Sequence, residues 1–233
     1  MGVRFFSGKK RPFHLGPYPL EKLKRASSLI DPGSIPPTKQ LSFSRLKTPH
    51  SLVNAMGEYQ AMMDVIRDGI INPVRGEVPE DETERADHMK AFGYFQDASL
   101  MGICKLTSDA MLAEKTLNPD IDRLADDIRT KQTKTLASGI DQIMASLKDS
   151  IETPLGAIDD HTHAIVFLFE NTRSPKSTEP GSEWIMEAQE HRAALRATEA
   201  AVILSSYLHL LGFSARAHSA TTSDVDLNNL AVA

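Results

Sequence analysis

From Leu52 to Ile66 apolar residues return every three or four positions, at Leu52, Met56, Tyr59, Met62, Met63 and Ile66. That period places them on one face of a helix, and Thr48 and Ser51 are candidate caps at its start. The acidic stretch "GEVPEDETERADH" reads as a loop that leads into a second helix through Met89, Phe92 and Phe95. The periodicity then changes. "ASLMGICKL" is short, apolar and interrupted by glycine, as expected of a buried strand after a helix. "NPDIDRLADDIRTKQTKTLASGIDQIMASLKDSIETPLG" returns to helical spacing, with Asn118 as a cap and Pro119 in the first turn. "HAIVFLFE" is apolar on both faces, which predicts a central strand over Ala164–Phe169.

After the loop "NTRSPKSTEPGS", the spacing predicts one long helix from Glu183 to Leu211. Ser182 is its expected cap, and Gly212 its left-handed stop. Ala188, Ala193, Ala194, Ala197, Ala200 and Ala201 would let that helix approach a sheet closely. "FSARAH" is expected to be the next strand, and "SDVD" a capping box that opens the helix "LNNLAVA". The order helix–strand–helix–strand–helix–strand–helix argues for an α+β sandwich of sheet and helices. The chain ends within that last helix, so Leu227, Leu230 and Val232 are expected to be left exposed, favouring association.

The first 49 residues stand apart. Pro12, Pro17, Pro19, Pro32, Pro36, Pro37 and Pro49 make up seven of the 13 prolines, which excludes a long helix or a central strand before residue 50. Residues 1–48 are read as a proline-rich arm wrapping a larger body, with a disordered leader as the alternative. Residues 49–233 form the α+β domain.

Composition narrows the function mainly by exclusion. The 233 residues carry a formal net charge of −5, with 41% hydrophobic and 24% charged residues, so the chain offers nothing to a nucleic acid. The basic run "GKKRPFH" reads as a solvated arm. The longest apolar run, "AIVFLF", falls far short of the roughly 20 residues that span a membrane. With one cysteine, Cys104, the chain has no internal disulfide, which fits a reducing cytoplasm. One thiol also cannot hold an iron–sulfur cluster.

Several residue groups invite a chemical reading beside a plain one. "DDHTH" sets Asp159, Asp160, His161 and His163 within five residues, a candidate metal cluster, but its place before a strand suits a polar turn better and no metal site is assigned. Cys104 lies in an apolar segment and reads as a buried, inert thiol. His191 and Arg192 lie among alanines on the long helix, facing either a cofactor cavity or solvent. "ARAHSATTS" places small hydroxyl residues after a strand end, where open sheets bind ligands, although it also suits a simple turn. His191, His218, Ser219 and Thr222 are the candidate cofactor-binding residues.

Three spans together resemble one family. "FQDASLMGICKL" resembles the helix-then-strand element "GADLVGI" of the cobalamin-dependent reductive dehalogenases and the related epoxyqueuosine reductases. "HAIVFLFE" resembles the family's central strand, and "AAVILSSYLHLLGFSARAHSATTSDVDLNNLAVA" its helix, glycine turn, strand and following helix. The opening "VRFFSGKKRPFHLGPYPLEKLKR" is similar to the start of the cytoplasmic, catabolic branch. The resemblance implies a nitroreductase-like α+β core, truncated here at the C-terminus. It also implies cobalamin and 4Fe–4S clusters in a longer protein, with downstream catalytic and ferredoxin-like domains as partners. It implies a cytoplasmic protein without a membrane or nucleic-acid partner.

The family's tyrosine proton donor falls on Ala194 and an asparagine after the glycine turn falls on Ala220, and neither alanine side chain can donate. The catabolic branch carries a second, degenerate copy of the domain at its amino end, and that copy fits these losses. Two other readings stand beside it: a stand-alone structural or dimerisation module, with a homodimer as partner, and an enzyme core that itself binds cobalamin or flavin.

Overall fold

The computed structural model describes residues 51–122, 158, 160–170, 175–185 and 188–232. The expected arm, most of the helix opened by Asn118, and Asp159 lie outside the described residues. Helix α1 (Leu52–Val65) begins where Ser51 accepts a hydrogen bond from the Val53 amide at 3.3 Å. Helix α2 (Glu82–Phe95) is capped by Asp81, with Glu82 and Glu84 in its first turn, favourable against the helix dipole. Asn118 caps the helix that starts at residue 120, accepting from the Asp120 amide at 3.0 Å.

Four short strands make two antiparallel pairs. Strand β1 (Leu100–Lys105) pairs with β3 (His163–Leu168) in a register that sets Leu100 opposite Leu168 and Lys105 opposite His163. A single 3-10 turn at Ser108–Ala110 leads into β2 (Met111–Thr116), which pairs irregularly with β4 (Ser223–Val225).

The two faces of β3 explain its unbroken apolar run. Ile165, Phe167 and Phe169 pack with Tyr94, Ala98 and Met101 on one side. Ala164 and Val166 turn to the other, towards Ala110, Ile158, Val225 and Leu230. The doubly apolar strand is therefore present and covered on both faces. Among the described residues, however, β3 has a ladder partner on one edge only, β1, so the expected central position is not seen there. Gly93 makes the approach of α2 to β1 close: a Cβ at that position would come within 2.3 Å of the Met101 sulfur.

The helix expected over Glu183–Leu211 appears as α3 (Ser182–Ile185) and α4 (Ala188–Leu210), with residues 186 and 187 outside the described set. Ser182 is the first residue of α3 rather than its cap, and its hydroxyl donates to the Ser177 carbonyl. The stop at Gly212 holds. With φ at 80°, its amide donates to the His209 carbonyl, and the Phe213 amide reaches Leu208, a Schellman closure. A Cβ there would lie 2.8 Å from the Val74 carbonyl oxygen. Gly212→Ala is therefore expected to destabilise the fold by about 2 kcal/mol, through left-handed strain plus that collision, measured as a shift in urea midpoint at constant slope.

Four further expectations are corrected. The stripe on α1 is turned outward: Tyr59 is 61% exposed, and Leu52, Met62 and Ile66 also face solvent, while Val53, Gly57, Gln60, Ala61, Asp64 and Val65 are buried. "FSARAH" is not a strand. The Ala217 amide donates to the Arg67 carbonyl, and β4 forms only at Ser223–Val225. Asp226, not Ser223, caps the last helix, α5 (Leu227–Val232), accepting from the Asn228 and Asn229 amides at 2.9 and 3.2 Å. Ser223 instead hydrogen-bonds the backbone of Val225. Leu230, expected to be exposed, is buried beside Ile158 and Val225, whereas Leu227 does lie at the surface.

Candidate functional site

Helices α1 and α4 run side by side in the same direction. Gln60 meets Thr198 at 2.9 Å, and Ser205, farther along α4, meets the carbonyl of Arg67 just past the end of α1. Their contact is polar because Gln60 and Asp64, one turn apart, face inward. Asp64 is the hub. One of its carboxylate oxygens accepts from Gln60 at 2.9 Å and from the Ser219 hydroxyl at 2.7 Å. The other accepts from Asn118 at 2.9 Å and from the Thr221 hydroxyl.

A cluster of charges continues from this hub. Arg216 donates to Asp68 at 2.9 Å and to Asp224 at 3.1 Å. Arg67 lies 3.4 Å from Asp224, and Lys115 reaches the other Asp224 oxygen at 3.2 Å. Burial lowers the Arg67 pKa, against the pull of Asp224. Burial works to raise Asp224, but Arg67, Arg216 and Lys115 outweigh it and hold the carboxyl below its ordinary value.

Beside this cluster lies an open recess of about 320 Å³, lined by β3, α4, the segment 215–220 and α5. Small side chains create the space. Ala194, Ala197 and Ala201 repeat at three and four residues along α4 and so share one face, and Ala215, Ala217, Ala220 and Ala231 join larger apolar side chains such as Phe167, Leu204, Leu208 and Leu230 on the other sides. Polar groups enter through His161, Ser205, Arg216, His218, Ser219 and Asn228. Both imidazoles are neutral at pH 7. Burial is the main cause in each case, bringing His218 down to about 4 and lowering His161. The His218 Nδ1 accepts from the Asp224 amide at 3.3 Å, which places the ring proton on Nε2.

The candidate cofactor residues separate into different roles. His218 and Ser219 line the recess. Thr222 is buried beneath it, where its hydroxyl accepts from the Asn118 amide at 3.2 Å. His191 is buried on α4 away from the recess wall, and Arg192 faces solvent. Cys104 is half-buried against the second apolar cluster. Within "DDHTH", His161 bonds Ser214 at 2.9 Å and His163 bonds Thr162, and no described residues form a three-ligand metal cluster. Sequence periodicity missed the Asp64 hub and the Arg67–Arg216–Asp224 cluster. The one available signal was the pair Gln60 and Asp64, one turn apart on a helix whose apolar stripe points elsewhere.

The recess does not fit cobalamin. A corrin ring with its nucleotide arm is several times larger than this space, Ser219 is committed to Asp64, and His191 does not face in. The two positions that the resemblance assigned to a donor tyrosine and an asparagine, Ala194 and Ala220, do both stand on the wall.

No protein-family model matches the chain, and no curated protein matches it. Among the described residues no helix is long and apolar enough to cross a membrane. Solved structures give a clear relationship. The N-terminally tagged catabolic reductive dehalogenase NpRdhA matches 98% of this chain at 30% identity with a TM-score of 0.62. The same enzyme in complex with 3-bromo-4-hydroxybenzoic acid matches equally. A reductive dehalogenase structure described as suggesting a mechanism for B12-dependent dehalogenation matches at 30% identity and a TM-score of 0.63. The chain spans 26% of the length of these structures. It is related in sequence and structure to about a quarter of a B12-dependent reductive dehalogenase.

Proposed function

We propose that this chain is an amino-terminal, non-catalytic, cobalamin-domain-like part of a reductive-dehalogenase-type oxidoreductase. In this reading it has a nitroreductase-like sheet-and-helix core. It supports a catalytic core elsewhere in the protein, where cobalamin and 4Fe–4S clusters do the chemistry. The observation that carries the reading is the pair Ala194 and Ala220. Both line the recess, and the resemblance assigns to them the positions of the family's proton donor and hydrogen-bonding asparagine. A methyl group neither protonates a carbanion nor orients a substrate. The single thiol, Cys104, cannot ligate a cluster that delivers electrons. The exposure of Ile70 at 88% and of Leu210 at 71%, whose carbonyl Asn72 bonds at the end of α4, suits a domain that packs on a larger body.

The test is to titrate the purified chain with cobalamin under reducing conditions, following absorbance, and to assay bromide release from 3-bromo-4-hydroxybenzoic acid. No stoichiometric binding and no halide release are expected. Tight one-to-one binding that is lost on His191→Ala would overturn the reading and make the chain a cofactor-binding core.

A further inference from the structure

We propose that the alanine-walled recess is a binding site for a small, uncharged aromatic molecule carrying one hydrogen-bond acceptor. It is a ligand site separate from any cobalamin chemistry.

Size comes first. An apolar protein cavity of about 150 Å³ holds one benzene ring, and this recess offers about 320 Å³. It therefore has room for a ring with a substituent. Shape follows from the walls. Ala194, Ala197 and Ala201 form a shallow methyl-surfaced face on α4, and β3 stands opposite it. Consecutive residues from Ala164 to Leu168 all line the recess, so β3 meets it along its edge, and a planar ring laid against the methyl face of α4 gains a large contact.

Charge is settled by what surrounds the polar end. Among the described residues, no carboxylate and no lysine lines the recess. Arg216 does line it, but Asp68 and Asp224 bind its guanidinium within 3.1 Å, so its charge is already answered. An anion entering there would be desolvated without gaining a free counter-charge. His161 and His218 add no charge at neutral pH. What His218 offers is a neutral donor, because its Nδ1 accepts from the Asp224 amide and its proton lies on Nε2. The complement is a carbonyl, ether or phenol oxygen.

The inference is independent of the supporting-domain reading, since a chain that fails to bind cobalamin can still bind such a molecule. The probe is acetophenone, which has a ring and one acceptor, compared with toluene, which lacks the acceptor, and benzoate, which is charged. Binding to the full chain at pH 7.5 is followed by calorimetry and by amide NMR shifts of Ala197, Ala201 and Ala217. Acetophenone is expected to bind one-to-one below about 1 mM. Toluene is expected to bind at least about fivefold more weakly, and benzoate more than about tenfold more weakly.

Ala197→Leu and Ala201→Leu each put a side chain into the space and are expected to abolish binding while the chain stays folded. Absence of acetophenone binding at 10 mM (about the millimolar range where such contacts fade) overturns the proposal. So does binding that survives both leucine variants, or a preference for benzoate. Unfolding of both variants would show that protein atoms already fill the recess, and would overturn it as well.

Discussion

Replacing Asp64 by alanine is expected to destabilise the fold by about 4 kcal/mol, close to the upper range for a point change. The carboxylate is 2% exposed and accepts four hydrogen bonds, from Gln60, Asn118, Ser219 and Thr221. Those donors come from three separate stretches of chain, and alanine would leave all four facing a hole. Each orphaned buried donor costs about 1–3 kcal/mol, offset in part by water entering the space. Arg67 would also lose a nearby negative charge that favours its ionised form. In a domain of this size, the loss is expected to lower Tm by roughly 10 °C. Asp64→Asn, which keeps the volume and one acceptor oxygen, is expected to cost about half as much. Chemical denaturation of both variants, with the slope held equal, measures the difference. A cost below about 1 kcal/mol for the alanine variant would mean that the hub does not organise this part of the fold.

That hub was the least legible feature of the sequence, and the reason is physical. Periodicity ranks positions by side-chain polarity, so on α1 it selects Leu52, Tyr59, Met62 and Ile66. The structure buries Gly57, Gln60, Ala61 and Asp64 instead. A helix whose partner surface is polar buries its polar row, and that partner surface comes from residues 118, 198 and 219–221. No local window contains those residues together. The same distance defeats the expectation of a strand at "FSARAH". Arg216 is pulled out to meet Asp68 and Asp224, and the Ala217 amide is taken by Arg67, so the segment has no ladder to join. Strand β4, three residues long, leaves too short a pattern to read.

Where local forces suffice, the reading held. Ser51 and Asn118 cap the helices assigned to them, and Gly212 ends α4 in the left-handed region. "AIVFLF" forms a strand because two apolar clusters demand opposite faces of it. The alanines of α4 were expected to permit close approach to a sheet. They do more: with Ala215, Ala217 and Ala220 they line a recess, and Ala194 and Ala220, the two positions that the resemblance assigns to a donor tyrosine and an asparagine, stand on its wall. Of the four candidate site residues, His218 and Ser219 reach that wall, and Thr222 and His191 do not.

Acid is expected to weaken the fold well before its carboxylates titrate, and His218 is the cause. Its pKa falls from an ordinary 6.5 to about 4, first through burial and then through the positive charges of Arg67 and Arg216. Asp224 pulls the other way from 4.0 Å. It is already shared by Arg67, Arg216 and Lys115, however, and has little negative field left to offer. The unfolded chain therefore takes up a proton on His218 between pH 6.5 and 4, a range in which the folded chain does not. Stability from this group is fully present above about pH 6.5 and is lost progressively as the pH falls through 4, to a total of about 3 kcal/mol. His161, facing the same recess with a lowered pKa, adds a loss of the same sign. Asp224 keeps its charge through this window because its own pKa is lowered, so the ion cluster stays intact while the imidazoles resist protonation. Urea unfolding at pH 7.5 and pH 5 is expected to differ by about 2 kcal/mol, with the lower value in acid. His218→Gln keeps an oxygen that can accept from the Asp224 amide but cannot titrate. In that variant most of the difference should vanish, while stability at pH 7.5 stays within about 1 kcal/mol of the parent. An unchanged pH dependence in the glutamine variant would assign the acid sensitivity to groups other than His218.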